Sequence, residues 1–245
     1  MIPMKNYFIT ATDTDAGKTF VACALTQALI NNGKKVAVYK PVAAGCHQIN
    51  KQLVNEDAQL LSQFGNCQQS ISDINPITFE AAIAPHIAAL NDNRVISIDD
   101  ISQGFSKVTS LKADINITEG AGGWRLPIYV NNNRSKVGGG NVFLSDFAQD
   151  TQQEVILVVN MKLGCLNHAL LTYQAIIADG LHCIAWIANN ASEKTMPCLN
   201  ENIESLEQLL PIPKIAQLNF YHEPNMSLQD KINAAANKID LMPLL

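Results

Sequence analysis

Thr12-Asp-Thr-Asp-Ala-Gly-Lys-Thr19 stands directly after the apolar run Tyr7-Phe8-Ile9, and residues 20–30 carry on with helical periodicity. A strand that feeds a loop opening a helix brings unpaired backbone N–H groups and the positive end of the helix dipole to one point, which suits polyphosphate. Gly17-Lys18-Thr19 therefore reads as the end of a phosphate-binding loop. Lys18 would place a cation on the β- and γ-phosphates of a nucleotide, and the Thr19 hydroxyl would ligate Mg²⁺. The spacing departs from G-x-x-x-x-G-K-[ST], because Thr12 holds the first glycine position. An ordinary glycine turn with an exposed lysine is the alternative reading of the same residues.

Outward from this loop, short β-branched or aromatic runs at 7–10, 36–39, 115–118, 155–159 and 183–188 read as buried parallel strands. Amphipathic segments at 19–31, 56–64, 84–90, 98–111, 142–150, 167–179 and 200–210 read as helices between and after them. Alternation of this kind predicts an α/β fold: a doubly wound, mainly parallel sheet with helices on both faces, in one domain over 1–245. Its ligand crevice should lie at the carboxyl ends of the strands. Residues 43–55 read as a polar functional loop, and 131–141, rich in Asn and Gly, as a flexible surface insertion.

Strand ends hold the remaining candidates. The second strand ends in Lys40, where a second cation would serve phosphoryl transfer, a reaction run mainly by positioning and charge neutralisation. A solvated strand end is the alternative. The third ends in Glu119-Gly-Ala-Gly-Gly-Trp124, an acid placed to face Mg²⁺, followed by glycines that admit close backbone approach. Asp57 could complete an oxygen shell, or merely complement the dipole of the helix that it opens. After the fourth strand, Gly164-Cys-Leu-Asn167 leads into a helix whose first N–H groups could bind a carboxylate; the alternative is a glycine turn with Asn167 as N-cap. Asn189 and Asn190 end the fifth strand, where an amide could read a base edge.

Composition narrows the function classes. Of 245 residues, 47% are hydrophobic and 16% charged, enough apolar material for a core. A net charge of −5 leaves no electrostatic footprint for nucleic acid. No signal peptide opens the chain, no apolar run reaches the roughly 18 residues of a membrane span, and the six cysteines are scattered without a C-x-x-C pair. These features predict a cytoplasmic protein with reduced thiols and no membrane or nucleic-acid partner.

Taken together, Thr10-Ala-Thr-Asp-Thr-Asp-Ala-Gly-Lys-Thr19, Tyr39-Lys-Pro-Val-Ala43, Asn75-Pro-Ile-Thr-Phe79, Ala84-Pro-His-Ile87, Glu119-Gly-Ala-Gly-Gly-Trp124, Lys162-Leu-Gly-Cys-Leu-Asn-His-Ala169 and Trp186-Ile-Ala-Asn189 resemble the dethiobiotin synthetases, a P-loop NTPase-like family. The resemblance runs in order from the amino terminus to about residue 190, and it accounts for Thr12, since that family carries threonine there. It implies an ATP- and Mg²⁺-dependent ligase of biotin biosynthesis that converts 7,8-diaminopelargonate and CO₂ to dethiobiotin through a carbamate and a carbamic–phosphoric anhydride. It further implies Lys18 and Lys40 as the catalytic cations and Thr19, Asp57 and Glu119 as the metal ligands. ATP contacts would come from Asp15, Ala16, Gly17, Lys18, Thr19 and Phe20, from Asp57 and Glu119, from Gly120, Ala121 and Gly122, and from Asn189 and Asn190. Ala44, Gly164, Cys165, Leu166 and Asn167 would contact the diamine, the last four across a homodimer interface.

This chain departs from the family at Ala44, where a hydroxyl residue is usual, at Asn190, where relatives often have Asp, and at 216–219, which lacks the usual proline. The missing proline leaves base contacts from residues 218–220 an open question. A partitioning ATPase of the same superfamily would need lysine at position 13, which is Asp13. An amidoligase would need a nitrogen donor or a glutaminase partner domain, for which this length leaves no room, and a bare nucleotide-binding module would leave Lys40, Asp57 and Glu119 without a shared purpose.

Overall fold

Six strands carry the architecture, most of their residues buried as in a covered parallel sheet. They are β1 (Lys5–Ala11), β2 (Val36–Tyr39), β3 (Ile115–Glu119), β4 (Glu154–Asn160), β5 (Cys183–Asn189) and β6 (Lys214–Leu218). The computed structural model describes residues 4–131, 140–222 and 225–245. The strands pair in the order β6-β5-β4-β1-β3-β2, every pair parallel. β1 is central: Tyr7 lies opposite Glu154 on one side and Ile117 on the other. The order reverses beside β1, so the crevice predicted for such sheets opens where the phosphate loop begins.

Alternation along the strands builds two cores. Tyr7, Ile9, Val36, Val38, Ile115, Ile117, Ile156 and Val158 meet α1 (Lys18–Asn31), α2 (Glu56–Phe64) and α7 (Leu228–Ala236). The alternate residues, among them Phe8, Tyr39, Val155, Leu157 and Trp186, meet α3 (Ile98–Ser110), α4 (Leu144–Asp150), α5 (Cys165–Ala178) and α6 (Leu199–Leu209). Ser97 and Ser227 cap α3 and α7 through side-chain oxygens. Helices thus cover both faces, as the alternation predicts.

Departures from the sequence reading are local. Residues 43–55 hold a hairpin, His47–Ile49 against Gln52–Val54, turned by Asn50 and Lys51 at positive φ. The helix expected from residue 142 starts at Leu144; Val142–Phe143 instead pairs with Pro127–Tyr129. The helix expected from 167 starts at Cys165 behind Gly164, whose φ of 95° takes the cap position, so Asn167 lies inside the first turn and is not the N-cap. β6 and α7 carry no counterpart in the sequence reading. The 131–141 insertion falls outside the described residues apart from its ends, where the Asn131 amide donates to Asn141 Oδ1 at 3.2 Å.

Candidate active site

The phosphate loop is shaped by two left-handed residues, Asp15 at φ 56° and Gly17 at φ 79°. At Gly17 the reason is visible twice over: a Cβ there would stand 2.3 Å from Asn189 Nδ2. That amide donates to the Ala16 carbonyl at 2.7 Å, so the end of β5 braces the loop from behind. The Thr12 amide donates to Val158 O and the Thr12 hydroxyl accepts from the Asn160 amide, tying the loop's start to β4. Backbone N–H groups held this way form a preorganised anion cradle.

Below it lies a charge cluster in which Lys40 and Glu119 are buried and Asp57 is partly exposed. Lys40 Nζ stands 2.7 Å from Glu119 Oε1 and 3.1 Å from Asp57 Oδ2, and the Thr19 hydroxyl donates to the same Glu119 oxygen at 2.8 Å. Lys40 is fixed at its backbone as well: its amide donates to Ile74 O at 2.8 Å, and Asn75 Nδ2 donates to its carbonyl at 2.6 Å. One residue upstream, the Tyr39 hydroxyl donates to Ile101 O at 2.7 Å, fitting against Gly104 of α3, where a Cβ would meet that oxygen at 2.3 Å. Asn55 caps α2, accepting from the Ala58 amide, and so orients Asp57.

Burial works to depress the Lys40 pKa, but the Glu119 and Asp57 carboxylates outweigh it and hold the ammonium above its ordinary value. Asp57 is the converse: burial would raise it, and Lys40 together with the Thr19 hydroxyl holds it below the usual carboxylate range. Lys18 is lowered, by burial first and by Lys40 beside it, against the pull of Glu119. Its Nζ donates to the Asp13 carbonyl at 3.3 Å.

A cleft of about 1090 Å³ opens over both features. Of the sequence-predicted residues it is lined by Asp15, Gly17, Lys18, Thr19, Phe20, Lys40, Ala44, Asp57, Glu119, Ala121, Gly122, Asn189 and Asn190. Ala16 and Gly120 lie just behind the wall; a Cβ on Gly120 would press on the Phe8 ring at 3.0 Å. The turn at Gly164, Cys165, Leu166 and Asn167 is not part of this lining, and Cys165 packs into the core.

Sequence reasoning missed a far wall made by Tyr221, Leu228 and Lys231, beyond the segment 218–220 that it left open, of which Asn219 and Phe220 line the cleft. Phe20 and Tyr221 rings meet there at 5.9 Å, and Lys231 Nζ donates to Tyr221 O. It also missed the strap from Ala82 to Pro85 and the buried amide of Asn55. A Ser at an N-cap position ahead of 228–236 was the one signal for α7. The Glu119 loop is pinned at its far end, where Trp124 Nε1 donates to Asp179 Oδ2 at 2.8 Å and Arg125 pairs with the same carboxylate.

The donor set fits a hard divalent cation. Glu119 Oε2 is buried with no hydrogen-bond partner, and Thr19 and Asp57 add a hydroxyl and a carboxylate beside it. Among the described residues no group of three or more His, Cys, Asp or Glu gathers, so the candidate set here is two carboxylates and a hydroxyl.

A family model described as an AAA domain matches residues 5–225. The ATP-dependent dethiobiotin synthetase BioD of Alteromonas mediterranea is 42% identical over 221 residues, covering 89% of this chain and 93% of the relative. Its counterpart from Cellvibrio japonicus is 43% identical over 241 residues, 98% of each chain. Among solved structures, a ParA family ATPase from Chlorobium tepidum superposes with TM-score 0.53 at 12% identity, covering 96% of this chain and 91% of its own. MinD from Aquifex aeolicus does so with TM-score 0.52 at 13% identity, covering 94% and 86%. Those two likenesses speak to the fold alone.

Proposed function

Because this chain belongs to the ATP-dependent dethiobiotin synthetase family, and is thereby a ligase, we propose that the cleft joins 7,8-diaminopelargonate to CO₂ at the expense of ATP. The observation that carries the proposal is the Lys40–Glu119–Thr19–Asp57 cluster set directly under the phosphate cradle. An amine of the substrate adds to CO₂, losing a proton, to give a carbamate. A carbamate oxygen takes the γ-phosphoryl group and ADP leaves. The second amine then attacks the carbonyl carbon, closing the ring and expelling phosphate.

The chain's own residues supply position and charge. Loop N–H groups and Lys18 hold the phosphates in line, and Lys40, kept cationic by its two carboxylates, neutralises charge where carbamate and phosphate meet. Thr19, Asp57 and Glu119 would hold Mg²⁺, which when bound screens the charge of the phosphate oxygens. Asn189, Asn190 and the Phe20–Tyr221 wall would take the base, and the turn from Gly164 to Asn167 the substrate carboxylate across a homodimer interface. Ala44 brings no side-chain hydroxyl to the cleft, and its carbonyl accepts from Asn55 Nδ2 at 3.5 Å. We place the protein in the cytoplasm on its six free cysteines; among the described residues no helix is long and apolar enough to cross a membrane.

The test is phosphate release from purified protein with Mg-ATP and bicarbonate, with and without the diamine. Release that requires the diamine, matched by cyclic urea, is the expected result. Equal release without it would overturn the proposed substrate.

A further inference from the structure

The start of the phosphate loop is joined to the chain around the end of β4 at three successive points. The Thr12 amide donates to Val158 O at 3.0 Å, the Asn160 amide donates to Thr12 Oγ1 at 3.2 Å, and Lys162 Nζ donates to Asp13 Oδ2 at 2.6 Å. The first two close the parallel pairing of β1 with β4. The third is a side-chain contact beyond the end of the sheet, and it reaches into the turn that opens α5.

Each partner is tied to a different working element. Lys162 belongs to the turn: its carbonyl accepts from the Cys165 amide at 2.9 Å, and its own amide donates to Asn160 O at 2.9 Å. Asp13 belongs to the loop: its other carboxylate oxygen accepts from the Thr14 amide at 2.9 Å, and its carbonyl accepts from Lys18 Nζ at 3.3 Å. The Asp13 carboxyl is held below its usual range, mainly by the hydrogen bond from Lys162, with His168 of α5 adding to the pull. The far end of α5 is joined to the second nucleotide-facing loop, through Asp179 and Trp124. The segment 162–179 therefore touches both loops of the nucleotide site, and only its first turn reaches the lysine of the phosphate cradle through a single relay, Lys162 to Asp13 to Lys18.

We propose that Asp13 and Lys162 are positioning residues which couple the turn at Gly164 to the phosphate loop, so that diamine on the turn and nucleotide on the loop strengthen each other's binding. The inference rests on the reading that this turn takes the substrate carboxylate. With that turn serving a partner protomer's cleft, the relay makes nucleotide occupancy in one protomer sense substrate occupancy at the other. Both side chains are nearly half exposed, so the pair's weight in overall stability is small and its effect is one of geometry.

The experiment measures binding of a non-hydrolysable ATP analogue with Mg²⁺ to the intact protein by calorimetry, with and without saturating 7,8-diaminopelargonate. In the native protein the diamine should tighten analogue binding about five- to tenfold. Lys162→Met should bring that ratio below about twofold, whatever its baseline affinity, while Lys162→Arg keeps the native ratio; a purely structural role would not single out the ratio. A native ratio of one, or an unchanged ratio in Lys162→Met, overturns the coupling. Asn167→Ala separates the two levels: if it leaves diamine affinity unchanged, the carboxylate reading fails and the coupling with it. If it weakens the diamine while Lys162→Met keeps the ratio, the coupling alone is wrong.

Discussion

Two lysine–carboxylate pairs flank the phosphate loop at nearly the same distance and in opposite surroundings. Lys40 stands 2.7 Å from Glu119 with their side chains 5% and 1% exposed; Lys162 stands 2.6 Å from Asp13 with 45% and 42% exposed. Distance alone therefore says little about what a pair does. In the buried pair neither charge has water to fall back on, so Lys40 and Glu119 stand or fall together, while Asp57, its side chain 46% exposed, adds its hold on Lys40 from the cleft side. At the surface pair water can replace either partner, and what the contact contributes is direction.

The comparison breaks most sharply at Lys40. Lys40→Ala should lower turnover at least about a thousandfold, by removing the cation at the reacting oxygens. It should also cost about 3 to 5 kcal/mol of stability, because Glu119 remains buried without a counter-charge. Steady-state kinetics and urea unfolding measure the two effects; a variant with native stability would mean that the cluster is not electrostatically closed.

Acid and base sharpen the same point. Asp57 is depressed in the folded state, so its contribution is present above the unfolded value near 3.9 and is lost as pH falls through the folded one. Lys40 is raised, so its contribution is whole below about 10.4 and is lost as pH rises through the folded value. The melting-temperature gap between native protein and Lys40→Ala should hold from about pH 5 to about pH 9 and shrink on either side. A gap that varies steadily across that window would assign the stabilisation to other groups.

Gly17→Ala comes next in size. The alanine would sit at a left-handed φ and drive Asn189 off the Ala16 carbonyl, for about 2 to 3 kcal/mol of lost stability together with weakened nucleotide binding. Chemical denaturation and analogue binding read the two effects. Lys162→Met should be smallest, within about 1 kcal/mol of native stability by the same denaturation. A loss as large as that of Gly17→Ala would make the surface pair structural and erase the contrast.

What the sequence could show follows the same division. Lys40 and Glu119 are readable because each closes an apolar, β-branched run, and strand ends are where such sheets place ligands. Their meeting with Asp57 is readable only as one of two alternatives and through the family resemblance, since α2 reaches them after the hairpin at 47–54, a segment whose polar residues read as loop. The base side was harder still. The helix of residues 228–236 buries Ile232, Ala235 and Ala236, and alanines give almost no periodic signal. β6, Lys-Ile-Ala-Gln-Leu at the sheet's edge, mixes polar and apolar residues on both of its faces, too weak a pattern to stand out. Asn167 misled through chemistry: an amide near a helix start reads as a cap, but a glycine free to adopt φ 95° begins the helix two residues earlier.

The place of β1 in the middle of the sheet also sets a timetable for synthesis. The first strand made has its two neighbours at Ile115–Glu119 and Glu154–Asn160, so it emerges with both edges bare. At ribosomal speeds it waits on the order of 10 to 30 seconds for the second of them. Throughout that interval the phosphate loop behind it has no floor and no brace. Nascent chains should gain nucleotide binding late and abruptly, once β4 and then the Asn189 end of β5 have cleared the exit tunnel.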